Sequence, residues 1–141
     1  MSCSLSVYDY SGYKRLTRSV VAWFIDYYKL DRYKFDVDVV CKGLWREGLK
    51  GSCTVLGSAY RPRCFEIEIH NGLERGSFVA TLMHEMLHVK QWLISDRKER
   101  QGENYWHGKH VDASTEYMDE PWEIEAYALE HGLAKLYLAT V

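Results

Sequence analysis

At 141 residues the chain has the length of one domain, and a single domain over 1–141 is expected. Hydrophobic residues make up 47% and charged residues 27%, which permits a packed core and argues against a disordered chain. A net charge of −2 supplies no global pull toward nucleic acid or an anionic membrane, and no apolar run reaches the roughly 18 residues that would span a bilayer.

The N-terminus, Met1 to Tyr10, lacks a basic segment followed by an apolar one, so it does not read as a secretory signal. The four cysteines (Cys3, Cys41, Cys53, Cys64) form no C-x-x-C pair and match no usual zinc spacing. They read as reduced thiols of a cytoplasmic protein. Over 13–30, Leu16, Val20, Trp23, Phe24 and Tyr27 recur at helical spacing and predict an amphipathic helix. Phe35 to Cys41 alternates with period two and predicts a half-buried strand. Gly43–Gly51 reads as a loop, Cys53–Ser58 as a second strand and Tyr60–Arg63 as a turn. Phe65–His70 then alternates again, with Phe65, Ile67 and Ile69 inward and Glu66, Glu68 and His70 outward, before Asn71-Gly72 ends it.

From Ser77, a natural N-cap, Val79, Leu82, Met83, Met86, Leu87, Val89 and Ile94 recur at helical spacing and predict a helix over 77–95. A polar stretch, 96–119, follows, and its run Arg97-Lys98-Glu99-Arg100 reads as a solvated loop. Pro121 suits the first position of a last helix over 121–138, with Trp122, Leu129, Leu133 and Leu136 on one face. The order helix, strands, helix, loop, helix predicts an α+β fold in which a small antiparallel sheet packs against helices.

His84, Glu85 and His88 fall in the middle of the 77–95 helix. Residues four apart share a helix face, so the two imidazoles can converge on one ion, and Glu85 can reach a water on that ion. This H-E-x-x-H arrangement is the zinc metallopeptidase motif, two ligands and a general base in five residues. The bland alternative is a pair of hydrogen-bonded core histidines with a surface glutamate between them. A catalytic zinc needs a third protein ligand, and His107, Glu123 and Glu125 are the candidates.

H-E-x-x-H followed by a helix reading E-x-x-A-(D/N) resembles the gluzincin-type metallopeptidases, and the match here is Glu123-Ile124-Glu125-Ala126-Tyr127. The resemblance implies Glu123 as the third zinc ligand and a bracing residue four positions on, where this chain has Tyr127. The fuller signature, H-E-x-x-H-V-x-Q, W-x-G-K and P-W-E-I-E-A-Y, is similar to small metallopeptidase-like proteins encoded by tailed phages. It covers 77–138 and implies a minimal zincin-like domain with the sheet packed on the H-E-x-x-H helix, an N-terminal helix and a C-terminal helix. The run His107-Gly108-Lys109-His110, 19 residues after His88, resembles the H-G-x-x of SprT-like proteases and implies His107 instead. On physical grounds Glu123 has a structural alternative, the capping-box position of a helix capped by Glu120. Glu125 shares a face with Ala128, Leu129 and Leu136, where a carboxylate is costly unless paired or coordinated.

The expected function is zinc-dependent hydrolysis of peptide bonds. The resident cofactor would be Zn2+ on His84, His88 and Glu123, and Glu85 would be the general base. Partners would be a protein or peptide substrate, not a membrane, and the mild acidity argues against nucleic acid. The location would be the cytoplasm, that of the host if the protein is viral. No feature sets an oligomeric state. Two rivals stand beside this: a catalytically silent zincin-fold binding or regulatory protein, and a SprT-like DNA-associated protease. Glu66, Glu68 and His70 either line a substrate groove on an edge strand or form a solvated sheet face. Tyr105, His110, Tyr117, Tyr127 and His131 are candidates to stabilise an oxyanion.

Overall fold

The computed structural model describes residues 3–9, 12–44 and 49–141, so the Gly43–Gly51 loop lies in part, at 45–48, outside the described residues. The described chain is α+β, with three α-helices and seven strands in two sheets. The first sheet has the order β1-β2-β4-β3, formed by β1 (Cys3–Asp9), β2 (Phe35–Lys42), β3 (Gly51–Val55) and β4 (Cys64–His70). β1 and β2 are parallel, β2 and β4 are parallel, and only β3 runs antiparallel to its neighbour β4. The expected antiparallel sheet is therefore a mixed one. Two pairings make it so: β1, a strand absent from the sequence reading, is returned parallel to β2 through α1 (Lys14–Tyr27), and β3 goes to the outer edge, so that β4 comes back beside β2 in the same direction.

Strict alternation makes β2 and β4 the floor of the core. Phe35, Val37, Val39 and Cys41 of β2 and Phe65, Ile67 and Ile69 of β4 are buried. Each such side chain contributes about 1.5–3 kcal/mol by leaving water. Asp36, Glu66 and Glu68 alternate with them on the other face, where Glu68 pairs with Lys42. α1 ends three residues earlier than the periodicity suggests, because Lys29 takes a left-handed conformation (φ 54°) ahead of a short 3-10 turn at Leu30–Arg32.

α2 (Arg75–Leu93) crosses the inner face of the sheet. It starts two residues before Ser77, with Glu74 at the cap position. From Phe78 to Leu93 all its residues but Lys90 are buried, because sheet, α1 and α3 (Pro121–Leu138) enclose it. Pro121 occupies the first turn of α3, as expected. The buried stripe of α3 runs through Glu123, Ala126, Leu133, Ala134 and Tyr137, whereas Leu129 and Leu136 are exposed. The expected apolar face is thus rotated: Trp122 and Leu133 are inside, Leu129 and Leu136 look outward, and Glu125 is half-buried.

Between α2 and α3 the polar stretch is not a loop. It is an antiparallel sheet of β5 (Arg97–Arg100), β6 (Glu103–Trp106) and β7 (Lys109–Val111). Both connections are two-residue turns in which each residue has positive φ, Gln101-Gly102 (52° and 79°) and His107-Gly108 (49° and 81°). Such turns match the twist of a hairpin.

Candidate metal centre

His84 and His88 leave the same face of α2, one turn apart, and their rings lie 4.9 Å apart nearly at right angles. Opposite them the first turn of α3 delivers Glu123. Its Oε1 is 2.9 Å from His84 Nε2 and its Oε2 is 3.0 Å from His88 Nε2. These spacings fall a few tenths of an ångström inside the roughly 3.3 Å edge of a tetrahedral zinc site. All three side chains are buried.

The outer nitrogens are also held. His84 Nδ1 faces Glu130 Oε1 at 3.1 Å and His88 Nδ1 faces Gln91 Oε1 at 2.8 Å. Gln91 is fixed in that orientation because its Nε2 donates to the Trp122 carbonyl (2.9 Å) and to Glu125 Oε1 (3.2 Å). All four imidazole nitrogens therefore face acceptors, while two neutral imidazoles carry only two N–H groups. Glu123 does not supply a proton: despite its burial, hydrogen bonds and charge from His84 and His88 hold its carboxyl down at about 2. The set is satisfied either by two imidazolium rings or by one dication between the Nε2 atoms and Glu123. In the second case each Nδ1–H donates outward, the usual support for a ligating histidine. Burial lowers the His84 pKa, but the Glu123 hydrogen bond and the Glu85, Glu123 and Glu130 carboxylates outweigh it and raise the net value. A concentration of negative charge that stabilises imidazolium also attracts a cation.

Glu85 shares the cluster with His84 and His88, its ligand atom within 4.8 Å of theirs. Burial, reinforced by Glu123 and Glu130, pushes its carboxyl up to about 7, against the pull of His88 and His84. Its place depends on β3. A Cβ at Gly51 would stand 2.8 Å from Thr81 Cγ2 and 3.2 Å from Glu85 Oε2, so glycine lets the edge strand close over the carboxylate. The cleft in front of these groups measures about 530 Å³ and includes Cys53, Arg97, Tyr117 and Tyr127.

Two tyrosines of the five oxyanion candidates reach this cleft. Tyr117 Oη donates to Glu123 Oε1 (3.0 Å) and lies 3.3 Å from Tyr127 Oη. Tyr127 also packs edge-on against His84, with centroids 4.5 Å apart. Tyr105, His110 and His131 lie elsewhere: His110 pairs with Glu103 in the small sheet, and His131 is exposed beside Glu130. Glu66, Glu68 and His70 do not edge a groove either, because β4 is flanked by β2 and β3. His70 Nδ1 instead accepts from the Leu44 amide. Among the described residues the edge strands of this sheet are β1 and β3, and β3 is the one beside the cluster.

Glu123, rather than Glu125 or His107, joins the two histidines, and it does so instead of closing a capping box; no side chain caps α3. The position four residues on, Tyr127, does not brace a ligand by hydrogen bond to it. Glu130, seven residues after Glu123 and on the same helix face, faces His84 Nδ1. Its spacing from Glu123, two full helical turns, is the signal in the sequence that marks it. Arg97 does not lie in a solvated loop. Its guanidinium instead stacks between Trp92 and Trp122, 4.6 and 3.8 Å from their ring centroids, with Nε buried and unpartnered. Among the described residues the cysteines are free and form no metal-ligating group. No helix among them is long and apolar enough to cross a membrane. Comparison with protein-family models, curated proteins and solved structures returns no match.

Proposed function

We propose that this chain is a zinc-dependent metallopeptidase of zincin type, with His84, His88 and Glu123 as the metal ligands and Glu85 as the general base. The observation that carries the reading is the convergence of both Nε2 atoms on the Glu123 carboxylate, with each Nδ1 backed by an outer acceptor. Core histidines with a merely structural role do not need one buried carboxylate shared between their Nε2 atoms and a further acceptor behind each Nδ1.

Zinc bound there would supply Lewis acidity, polarising an amide carbonyl and acidifying water. Glu85 takes the proton from the attacking water and delivers it to the departing amine. A carboxyl drawn up toward neutrality suits both halves of that transfer. A cation held by the neutral histidines and Glu123 would replace the imidazolium charge that acts on Glu85, and would keep its carboxylate ionised at the start. Tyr117 gives its one O–H to Glu123, so Tyr127, whose hydroxyl lies beside it in the cleft, is the donor that would turn to the developing oxyanion. The outer edge of β3 passes directly over Glu85, so an extended peptide added to that edge would run across the catalytic carboxylate. Free thiols support a cytoplasmic setting, the host's if the protein is viral.

The test is turnover of a fluorogenic peptide library by the zinc-loaded chain, beside Glu85→Gln. We expect Glu85→Gln to keep its metal and lose about 10²- to 10⁴-fold in kcat/KM. Equal turnover by the two proteins, or none by the zinc-loaded wild type, removes the catalytic reading and leaves a silent zincin-fold binding protein.

A further inference from the structure

The two rejected ligand candidates, His107 and Glu125, meet each other. Asp96, His107 and Glu125 bring three ligand atoms within 4.8 Å of one another on the far side of Gln91 from the first cluster. They come from three separate elements: the turn after α2, the hairpin turn between β6 and β7, and the second turn of α3. The turn is tied down first, because the His107 amide donates to the Asp96 carbonyl at 2.8 Å. His107 Nδ1 then lies 3.6 Å from Asp96 Oδ1. That is too long for a hydrogen bond and close to the roughly 3.3 Å separation of two atoms bound to one zinc ion.

Charge gives the second argument. Two carboxylates and a neutral imidazole carry a formal charge of −2. Among the described residues no lysine or arginine ion-pairs with Asp96 or Glu125; Glu125 receives only the Gln91 amide. Asp96 is mostly buried, with a side-chain exposure of 19%, so solvent screens it only in part. A dication neutralises the group, and exposed His107 leaves a route in and room for completing waters.

We propose that Asp96, His107 and Glu125 form a second divalent-cation site, suited by its one nitrogen and two carboxylate donors to zinc and its first-row neighbours. The ion pins the three-stranded sheet to both helices that build the first cluster. Through Glu125 and Gln91 it also backs His88, because the amide that orients Gln91 toward His88 is held in part by Glu125.

The test is zinc stoichiometry by mass spectrometry of the metal in dialysed full-length protein. His107→Asn is the informative variant, since asparagine tolerates the left-handed turn while removing the imidazole. Wild type should hold two equivalents, His107→Asn one, His84→Ala one, and the double variant none. An Asp96→Asn variant should match His107→Asn. Two equivalents in His107→Asn, or a single wild-type equivalent that only His84→Ala loses, overturns the second site. A single wild-type equivalent lost only by His107→Asn would instead leave this site standing and remove the first.

Discussion

The two sheets are held by different forces. The four-stranded sheet turns Phe35, Val37, Val39, Phe65, Ile67 and Ile69 into a core that excludes water. The three-stranded sheet has no such face: its inward residues include Arg97, Glu99 and Asn104. It is fastened by an arginine between two tryptophans, by two tight turns and by the His107 amide on the Asp96 carbonyl. The first sheet can form from hydrophobic burial alone, whereas the second depends on groups it shares with the candidate metal centre. Stability and chemistry are therefore divided along the chain, with α2 the element common to both.

The largest effect should come from the apolar side. Phe65→Ala should cost about 3–5 kcal/mol in denaturant unfolding, by lost burial plus the cavity left behind. The protein that remains folded should still hold its full metal complement. If metal is lost in proportion while the fold persists, the two regions are not separate. Stripping metal is the complementary experiment. A site a hundredfold saturated contributes about 2.7 kcal/mol to folding, so a chelator should lower the Tm measurably. Hydrogen exchange should then quicken in β5–β7 and the first turns of α3 more than in β2 and β4. Uniform loss of protection, or an unchanged Tm, would contradict the division.

This division also governs what could be read in advance. β2 and β4 were legible because burial on one face imposes alternation, and α2 because enclosure imposes a continuous apolar run around the H-E-x-x-H motif. β1 carries the same alternation, Cys3, Leu5 and Val7 against Ser4, Ser6 and Tyr8, and was legible on the same ground. The small sheet escaped because it buries little, so its strands carry no hydrophobic period; only Gln101-Gly102 and His107-Gly108 mark it, as turns. His107-Gly108 is a hairpin turn, and it carries His107 away from His84 and His88 toward Asp96 and Glu125. Choosing between Glu123 and Glu125 required the rotation of α3, and both of its candidate faces carry leucines. Leu133 is the one that packs inward, while Leu129 and Leu136 stay exposed.

Smaller effects should follow from the groups that orient the histidines. Glu130→Ala removes the acceptor at His84 Nδ1 and leaves the sheet untouched. We expect zinc affinity to fall by about 10- to 100-fold, roughly 1.4–2.7 kcal/mol, in competition with a chelator. Metal-free Glu130→Ala should show wild-type hydrogen exchange in β2 and β4. An undiminished affinity would mean that His84 is aligned by packing against Tyr127 rather than by Glu130.

The smallest effect probes the fastening of the second sheet without touching a proposed ligand. Arg97→Lys keeps the positive charge beside Glu120 and Glu123 but replaces a planar guanidinium with a compact ammonium. Stacking on Trp92 and Trp122 is lost, and with it about 1 kcal/mol of stability. Lysine also carries a stronger hydration shell than the gap between two indoles can hold, so it should swing toward solvent. The small sheet should then fray first, visible as faster exchange in β5 and β6 with β2 and β4 unchanged. Were Arg97 present only for its charge, Arg97→Lys would exchange like wild type and Arg97→Met would fray instead. The comparison of the two substitutions separates charge from shape as the force that attaches this sheet to the rest.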